Sequence, residues 1–382
     1  MLPIADPGRG LAAIFAASLA LSAFCQRHVA RAPAGPRRSA AVALLLAAHF
    51  ASPLAFETGT GACVCAMLSA TLFGWWGTMK VLACVLSAAG PLSHSAHASP
   101  ATFYAAYFLP VTLAPGACGD EAEGTPSARA LCARFVSKLG LMLCVLAALD
   151  PRDDGTPAHA ALRAGTVCGD LLWALTVLLA ASGMMDFSGA LAVLALGVPV
   201  REAFRSPLAA TSLCDFWGRR WNLTAVRLLR ACCYEPLRAS GVPRAVATGA
   251  TFAVSGLAHE AIMAYGSAER YGPHVSGRWL AFFVVQGALC AAEAALGLAH
   301  ERVHARGQPS GAGGGAVGVL GALELSARRL ACVGIVFASA RPLFLAPAYA
   351  VGWPHLLSSS MLRVPRLVLR AAGVNVPLAA VG

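Results

Sequence analysis

A bundle of α-helices crossing a membrane several times is the fold class that this sequence predicts. Three observations predict it. Hydrophobic residues make up 58% of the 382 and charged residues only 12%, against roughly 25% charged in an ordinary soluble domain. Apolar runs of about 20 residues, long enough to cross a bilayer as a helix, recur along the chain. Lysines and arginines number 29 against 18 aspartates and glutamates, a net charge of +11. In so apolar a chain that excess belongs to loops facing anionic headgroups. A soluble protein of this composition could not cover its surface, and a basic, base-stacking module for nucleic acid is not visible. No obligate protein partner is evident.

Residues 11–25 form the first apolar run. An aspartate near the start and no basic leader favour a retained helix over a cleaved signal. A basic loop follows with Arg27, Arg31, Arg37 and Arg38, where Pro33 and Pro36 interrupt any helix. The excess of positive charge places it in the cytosol. Residues 40–56 read as a second span. Residues 61–89 are interrupted by Gly74, Gly77 and Lys80 and closed by Gly90-Pro91. They read as a helix whose Lys80 snorkels to the interface, or as two broken pieces. Residues 103–113 are too short to cross and are expected to lie in the interface or re-enter. An acidic loop at 118–127 precedes a span at 131–149, with Arg134 and Lys138 near its start, and a loop follows at 151–157. Residues 167–200 are apolar except for Asp170 and Asp186 and are long enough for two helices around Ser182-Gly183. After a basic block at 201–244 come spans at 246–265, 279–299 and 330–351. The total is about eight or nine spans. If every run crossed once, the two basic loops would fall on opposite sides, so one ambiguous run is a half-span.

The glycine-rich stretch 306–321 fits G-x-G-x-x-G from Gly313 to Gly318 but follows no strand, so it is not read as a dinucleotide site. In the tail, Arg363, Arg366 and Arg370 have the spacing of an interfacial helix. Of the 13 cysteines none forms Cys-x-x-Cys, and those in apolar runs (Cys63, Cys65, Cys84, Cys144, Cys168, Cys290, Cys332) read as packing residues.

His259 is the first candidate for chemistry. It lies 13 residues into the 246–265 run, about 20 Å along a helix of about 30 Å. A histidine there can simply hydrogen-bond neighbouring helices. Here Glu260 adjoins it, and Ser255, Gly256 and Ala258 let a helix or ligand approach closely. A buried neutral imidazole can take a proton from an alcohol as the alcohol attacks a carbonyl. Adjacent helical residues point about 100° apart, so Glu260 is expected to orient another polar group. Met263 stands where H-E-x-x-H needs a second histidine, and Ser255 has no G-x-S-x-G context. Zinc and serine-nucleophile chemistry are therefore not expected, and no metal is predicted.

In the basic block, Arg220, Arg227 and Arg230 fall on one side of a helix and Leu223, Val226, Leu229 and Cys233 on another. This predicts an amphipathic helix from Phe216 to Cys233, ended by Pro236. Such a helix floats at headgroup level or uses its arginines to hold an anionic cosubstrate. Phe216, Trp217 and Trp221 suit the interface. Asn222-Leu-Thr224 is formally a glycosylation sequon in an unsuitable place. The Asn222 amide can instead hold a reacting carbonyl or its oxyanion.

Those residues resemble a known family. Ser206-Pro, then Asp215-Phe-Trp-Gly-Arg-Arg-Trp-Asn222, and Phe252-x-x-Ser-Gly-Leu-x-His259-Glu260 are similar to the plant wax synthases of the membrane-bound O-acyltransferase superfamily. Looser similarity runs through Phe282-Phe-Val-Val-Gln-Gly to Ala291-Ala-Glu293, with Phe73-Gly-Trp-Trp-Gly-Thr-Met-Lys80 and Gly90-Pro-Leu upstream. The resemblance implies an acyl-CoA-dependent O-acyltransferase of the endoplasmic reticulum membrane that esterifies a long-chain alcohol to a wax ester. It places the catalytic histidine on His259 and its paired asparagine on Asn222. Cys214 and Ala258 depart from the family's usual Gln and Met, neither touching the presumed chemistry. Arg219, Arg220 and Arg227 become candidates for coenzyme A phosphates, and Trp217, Trp221 and Glu260 complete the substrate-binding set. Acyl-CoA and a lipophilic alcohol are the substrates, in contact with membrane lipid, and no cofactor is needed. The organisation read from this is N-terminal helices at 1–130, a wax-synthase-like catalytic region at 131–300, and a glycine-rich loop, last helix and basic tail at 301–382. Sterol is the runner-up acceptor and diacylglycerol the third. A different class, a lipid transporter or binding protein, would use Asp170, Asp186, Lys80, His259 and Glu293 as a polar path. No internal repeat of the transporter kind is seen.

Overall fold

Apolar runs without internal proline become long helices, because in lipid a helix satisfies its own backbone. The computed structural model describes residues 3–57, 63–87, 90–114, 125–149, 163, 165–267, 270–297 and 316–354. Among these residues the regular structure is helical, apart from isolated bridges pairing Ile4 with Phe56 and Leu113 with Val200. Seven helices are long and apolar enough to cross a membrane: Pro7–Ala30, Pro36–Ala55, Cys63–Leu86, Ala128–Ala148, Val167–Leu196, Arg278–Ala295 and Gly321–Ala350. Arg244–Gly266, with 23 residues, is as long but carries His259 and Glu260 and is more polar. Counting it gives eight among the described residues. The acidic residues at 118–124, the 151–157 loop, Gly313 and the Arg363–Arg370 tail lie outside the described residues.

Cys63–Leu86 is the central helix, with 67% of its apolar window buried, whereas Pro36–Ala55 and Gly321–Ala350 have 17%. It is one continuous helix with a π-helical turn at Ala70–Gly77, not two pieces. Lys80 does not snorkel. It is fully buried and donates to the carbonyls of Tyr107 at 3.2 Å and Leu109 at 2.5 Å. Those carbonyls sit at the end of the short Pro100–Phe108 helix, so the lysine caps a helix end inside the protein. Phe103 and Tyr107 of that helix are buried in the same core, which places the short segment within the bundle.

The expected break at Ser182-Gly183 is absent: Val167–Leu196 is one helix of 30 residues. Its small residues serve packing instead. A Cβ on Gly183 would meet Lys138 of the Ala128–Ala148 helix at 3.8 Å, and Lys138 pairs with Asp186 at 2.5 Å. Cys144 and Cys168 are exposed on the bundle's outer surface rather than packed, whereas Cys63, Cys65, Cys84, Cys290 and Cys332 are buried.

The amphipathic helix also differs from expectation. It is broken at Asn222, whose φ of +41° places it in the left-handed region. A π-helical turn at Phe216–Arg220 precedes the break and a helix begins at Leu223. Pro236 does not end that helix. A second π-helical turn, Arg230–Tyr234, carries the chain into Glu235–Ala239 with Pro236 in its first turn, where a missing N–H is tolerated.

Candidate active site

Two antiparallel helices, Arg244–Gly266 and Arg278–Ala295, form the wall that carries the site. Each brings a glycine to the crossing. A Cβ on Gly256 would lie 3.0 Å from the Leu280 Cα, and one on Gly287 would lie 2.9 Å from the Phe252 Cβ. Only a missing side chain permits that approach. The start of the second helix is fixed by Glu260, which accepts from the N–H groups of Gly277 at 2.7 Å and Leu280 at 3.0 Å and from the Tyr271 hydroxyl. Glu260 therefore orients backbone and a phenol, and it is not among the residues that line the cavity. Burial, and after it the hydrogen bond to Glu260, pushes the Tyr271 phenol above its ordinary value.

The opposite wall is the segment 206–222. Glu293 accepts from the N–H groups of Leu213 at 2.9 Å and Cys214 at 2.7 Å, tying this segment to the second helix. The buried Gln286 accepts from the Trp217 indole at 2.9 Å and donates to Ser339 at 2.7 Å. Trp217 packs against Phe252, with ring centres 5.9 Å apart, and Phe216 stacks on Trp221 at 5.5 Å. These aromatic residues pack inward rather than facing headgroups.

Between the walls lies a cavity of about 300 Å³ lined by His259, Asn222, Ser255, Trp75, Trp217, Trp221, Phe283 and Cys214, with Arg230, Tyr234 and Arg244 also on its wall. The His259 ring lies 4.4 Å from the Phe283 ring and 6.1 Å from that of Trp75, centre to centre. Its Nδ1–H donates to the Ser255 carbonyl, one helical turn back, at 2.8 Å. That bond fixes the neutral tautomer in which Nε2 is the bare acceptor. Asn222 accepts from the Ala225 N–H at 3.1 Å through its side-chain oxygen. Its other end, the NH2, is a pure donor. The cavity thus holds a base, a donor and an aromatic wall, a combination suited to removing a proton from a hydroxyl and receiving an oxyanion.

Of the predicted site residues, His259, Asn222, Trp217 and Trp221 meet on this cavity. Arg219, Arg220 and Arg227 do not line it. Arg219 is exposed. Arg220 pairs with Asp215 at 2.6 Å, and Arg227 donates to the Glu202 carbonyl at 3.3 Å. The break at Asn222 sets Arg220 on a different axis from the helix that follows. The arginines on the cavity are Arg230 and Arg244. Arg230 was legible on the arginine face, and Arg244 as the last basic residue before the span. Cys214 does line the cavity, its Sγ 3.5 Å from the Cys290 carbonyl, so that departure adjoins the chemistry. Ala258 borders a second, apolar cavity of about 210 Å³ on the other side of the helix. Thr224 of the formal sequon is buried. Among the described residues no three His, Cys, Asp or Glu side chains gather as metal ligands.

The groups of the imagined polar path are separately occupied. Asp170 receives Arg341 at 2.8 Å and Tyr349 at 2.7 Å, Asp186 receives Lys138, and Glu293 receives backbone N–H groups.

Comparison with known proteins gives concordant matches over this region. Residues 200–285 match the model of the membrane bound O-acyl transferase family. The chain is 38% identical over 130 residues to the probable long-chain-alcohol O-fatty-acyltransferase 6 of Arabidopsis thaliana, covering 33% of this chain and 36% of that protein. It is 36% identical over 132 residues to number 8 of the same series, covering 33% and 38%. With the acyl-CoA–sterol O-acyltransferase 1 of that plant it shares 35% identity over 133 residues, covering 33% and 35%. The chain thus spans about a third of the length of the relatives it matches.

Proposed function

We propose that this multi-pass membrane protein, which over residues 200–285 belongs to the membrane bound O-acyl transferase family, transfers an acyl group from acyl-CoA to a long-chain alcohol. His259 Nε2 takes the proton of the acceptor hydroxyl, and the alkoxide oxygen attacks the thioester carbonyl. The Asn222 NH2 donates to the oxyanion of the tetrahedral intermediate. Collapse breaks the carbon–sulfur bond, and the His259 imidazolium returns the proton to the departing thiolate. Arg230 and Arg244, on the cavity wall, hold the phosphates of coenzyme A. The observation that carries this reading is the His259–Ser255 hydrogen bond, which leaves an unprotonated nitrogen on a residue that lines an aromatic cavity. The endoplasmic reticulum membrane is the proposed location.

A sterol is the second acceptor, favoured by the similarity to a protein named acyl-CoA–sterol O-acyltransferase. The test offers labelled acyl-CoA to microsomes from cells that lack neutral-lipid acyltransferases and express this chain. Fatty alcohol, sterol and diacylglycerol are supplied in parallel. A wax ester is expected. Sterol ester in its place would keep the mechanism and change the acceptor. Well-expressed protein that forms no ester from any of the three would contradict the proposal.

A further inference from the structure

The arginines left out of the cavity form a site of their own. Glu202 lies just past the Val167–Leu196 helix, and Arg134 lies in the second turn of Ala128–Ala148. The Glu202 carboxylate receives Arg134 Nη1 at 3.0 Å and Arg205 Nε at 3.4 Å. Arg227 Nη2 donates to the Glu202 carbonyl at 3.3 Å. Two guanidinium groups thus share the Glu202 carboxylate, and a third is held on the backbone carbonyl of the same residue. Arg227 Nη1 is buried with no hydrogen-bond partner, so one strong donor in the cluster is unused. Burial, then repulsion from Arg201 and Arg205, pulls the Arg227 guanidinium down to about 10. It still carries its charge at neutral pH.

The position of the cluster suggests an anion for it. The two helices are antiparallel, and the cluster sits where their ends meet the basic block, the kind of segment that meets anionic headgroups in membrane proteins. Arg134 and Arg205 are 44% and 56% exposed. None of Arg134, Arg205 and Arg227 lines the catalytic cavity, which separates this site from one for coenzyme A. We propose that Arg134, Arg205 and Arg227 bind the phosphate of an anionic phospholipid headgroup.

The test is native mass spectrometry of the purified full chain in detergent, titrated with phosphatidylglycerol or phosphatidylcholine in the absence of acyl-CoA. Phosphatidylglycerol should bind preferentially. The double substitution Arg134→Gln, Arg205→Gln should weaken it roughly thirtyfold, from about 1 kcal/mol per arginine near a membrane surface. Both side chains are half exposed, so little stability is at stake. Glu202→Gln removes the competing carboxylate and should tighten binding, a sign that a merely structural role would not give. Equal binding of the two lipids overturns the proposal. So does displacement of the lipid by inorganic phosphate or adenosine 3′,5′-bisphosphate at equal concentration, which would assign the site to a soluble phosphate. The readout is binding without turnover, so its failure leaves the acyl-transfer reading untouched.

Discussion

The tautomer of His259 is decided by one hydrogen bond, and that bond decides what the residue can do. With Nδ1–H held by the Ser255 carbonyl, Nε2 has a lone pair and no proton. Asn222 is set as firmly: its left-handed backbone and its cap on Ala225 fix the side chain. Both stood out in the sequence as candidates: a titratable pair inside an apolar run, and an amide beside Trp221 that the family resemblance pairs with His259. Which arginines line the cavity was legible only in part: Arg230 stood on the arginine face with Arg220 and Arg227, which the cavity leaves out. A helical wheel assumes an unbroken helix, and the reversal at Asn222 invalidates it across residues 220–227. The proposal that Arg230 and Arg244 hold the coenzyme A phosphates predicts that Arg230→Gln with Arg244→Gln raises the KM for acyl-CoA about tenfold with little change in the KM for alcohol, as expected if about 1.4 kcal/mol of phosphate binding is lost. Arg219→Gln, at an exposed position off the cavity, should leave both unchanged. Equal effects from all three arginines would contradict the assignment.

Two contacts between elements hold His259 in place. Gly256 lets the His259 helix touch the Leu280 backbone, and backbone cannot move aside as a side chain can. Gly256→Val should destabilise the protein by about 1–3 kcal/mol through overpacking, seen as a lower unfolding temperature in detergent, and should lower activity with it. Glu260 clamps the start of the next helix through two N–H groups and Tyr271. Burial raises the Tyr271 phenol above the ordinary tyrosine value of about 10 in the folded protein, so its neutral form favours folding. That contribution is complete below pH 10 and is lost as pH rises through the higher folded value. Tyr271→Phe should therefore flatten the alkaline fall in stability, and an unchanged alkaline limb would count against the clamp. The helices themselves were legible from apolar run length. The continuity of Val167–Leu196 was not, because Ser182-Gly183 has the same composition in a turn as in a helix contact. The contact was decided by a neighbour, Ala128–Ala148, that periodicity cannot locate.

At the scale of the whole molecule, buried charges act as staples between distant parts of the chain. Asp170, whose side chain is 4% exposed, joins Arg341 and Tyr349 of the last span, and Lys80 joins the central helix to Pro100–Phe108. The sequence marks such residues as costly in a membrane but does not say which partners satisfy them, so they read equally well as a transport path. Breaking a pair by removing one member leaves a buried charge, at about 3–5 kcal/mol. Arg341→Ala should therefore lower the yield of monodisperse protein on size-exclusion chromatography in detergent far more than Arg328→Ala, whose partner Glu324 is exposed. Equal yields would show that the Asp170 staple contributes little.

The central claim is that His259 is the base of acyl transfer. The most direct test measures ester formation from labelled acyl-CoA and fatty alcohol in microsomes containing equal amounts of wild type and His259→Ala. The account predicts that the variant inserts in the membrane and forms no ester above background. Ester formation by His259→Ala at the wild-type rate would contradict it.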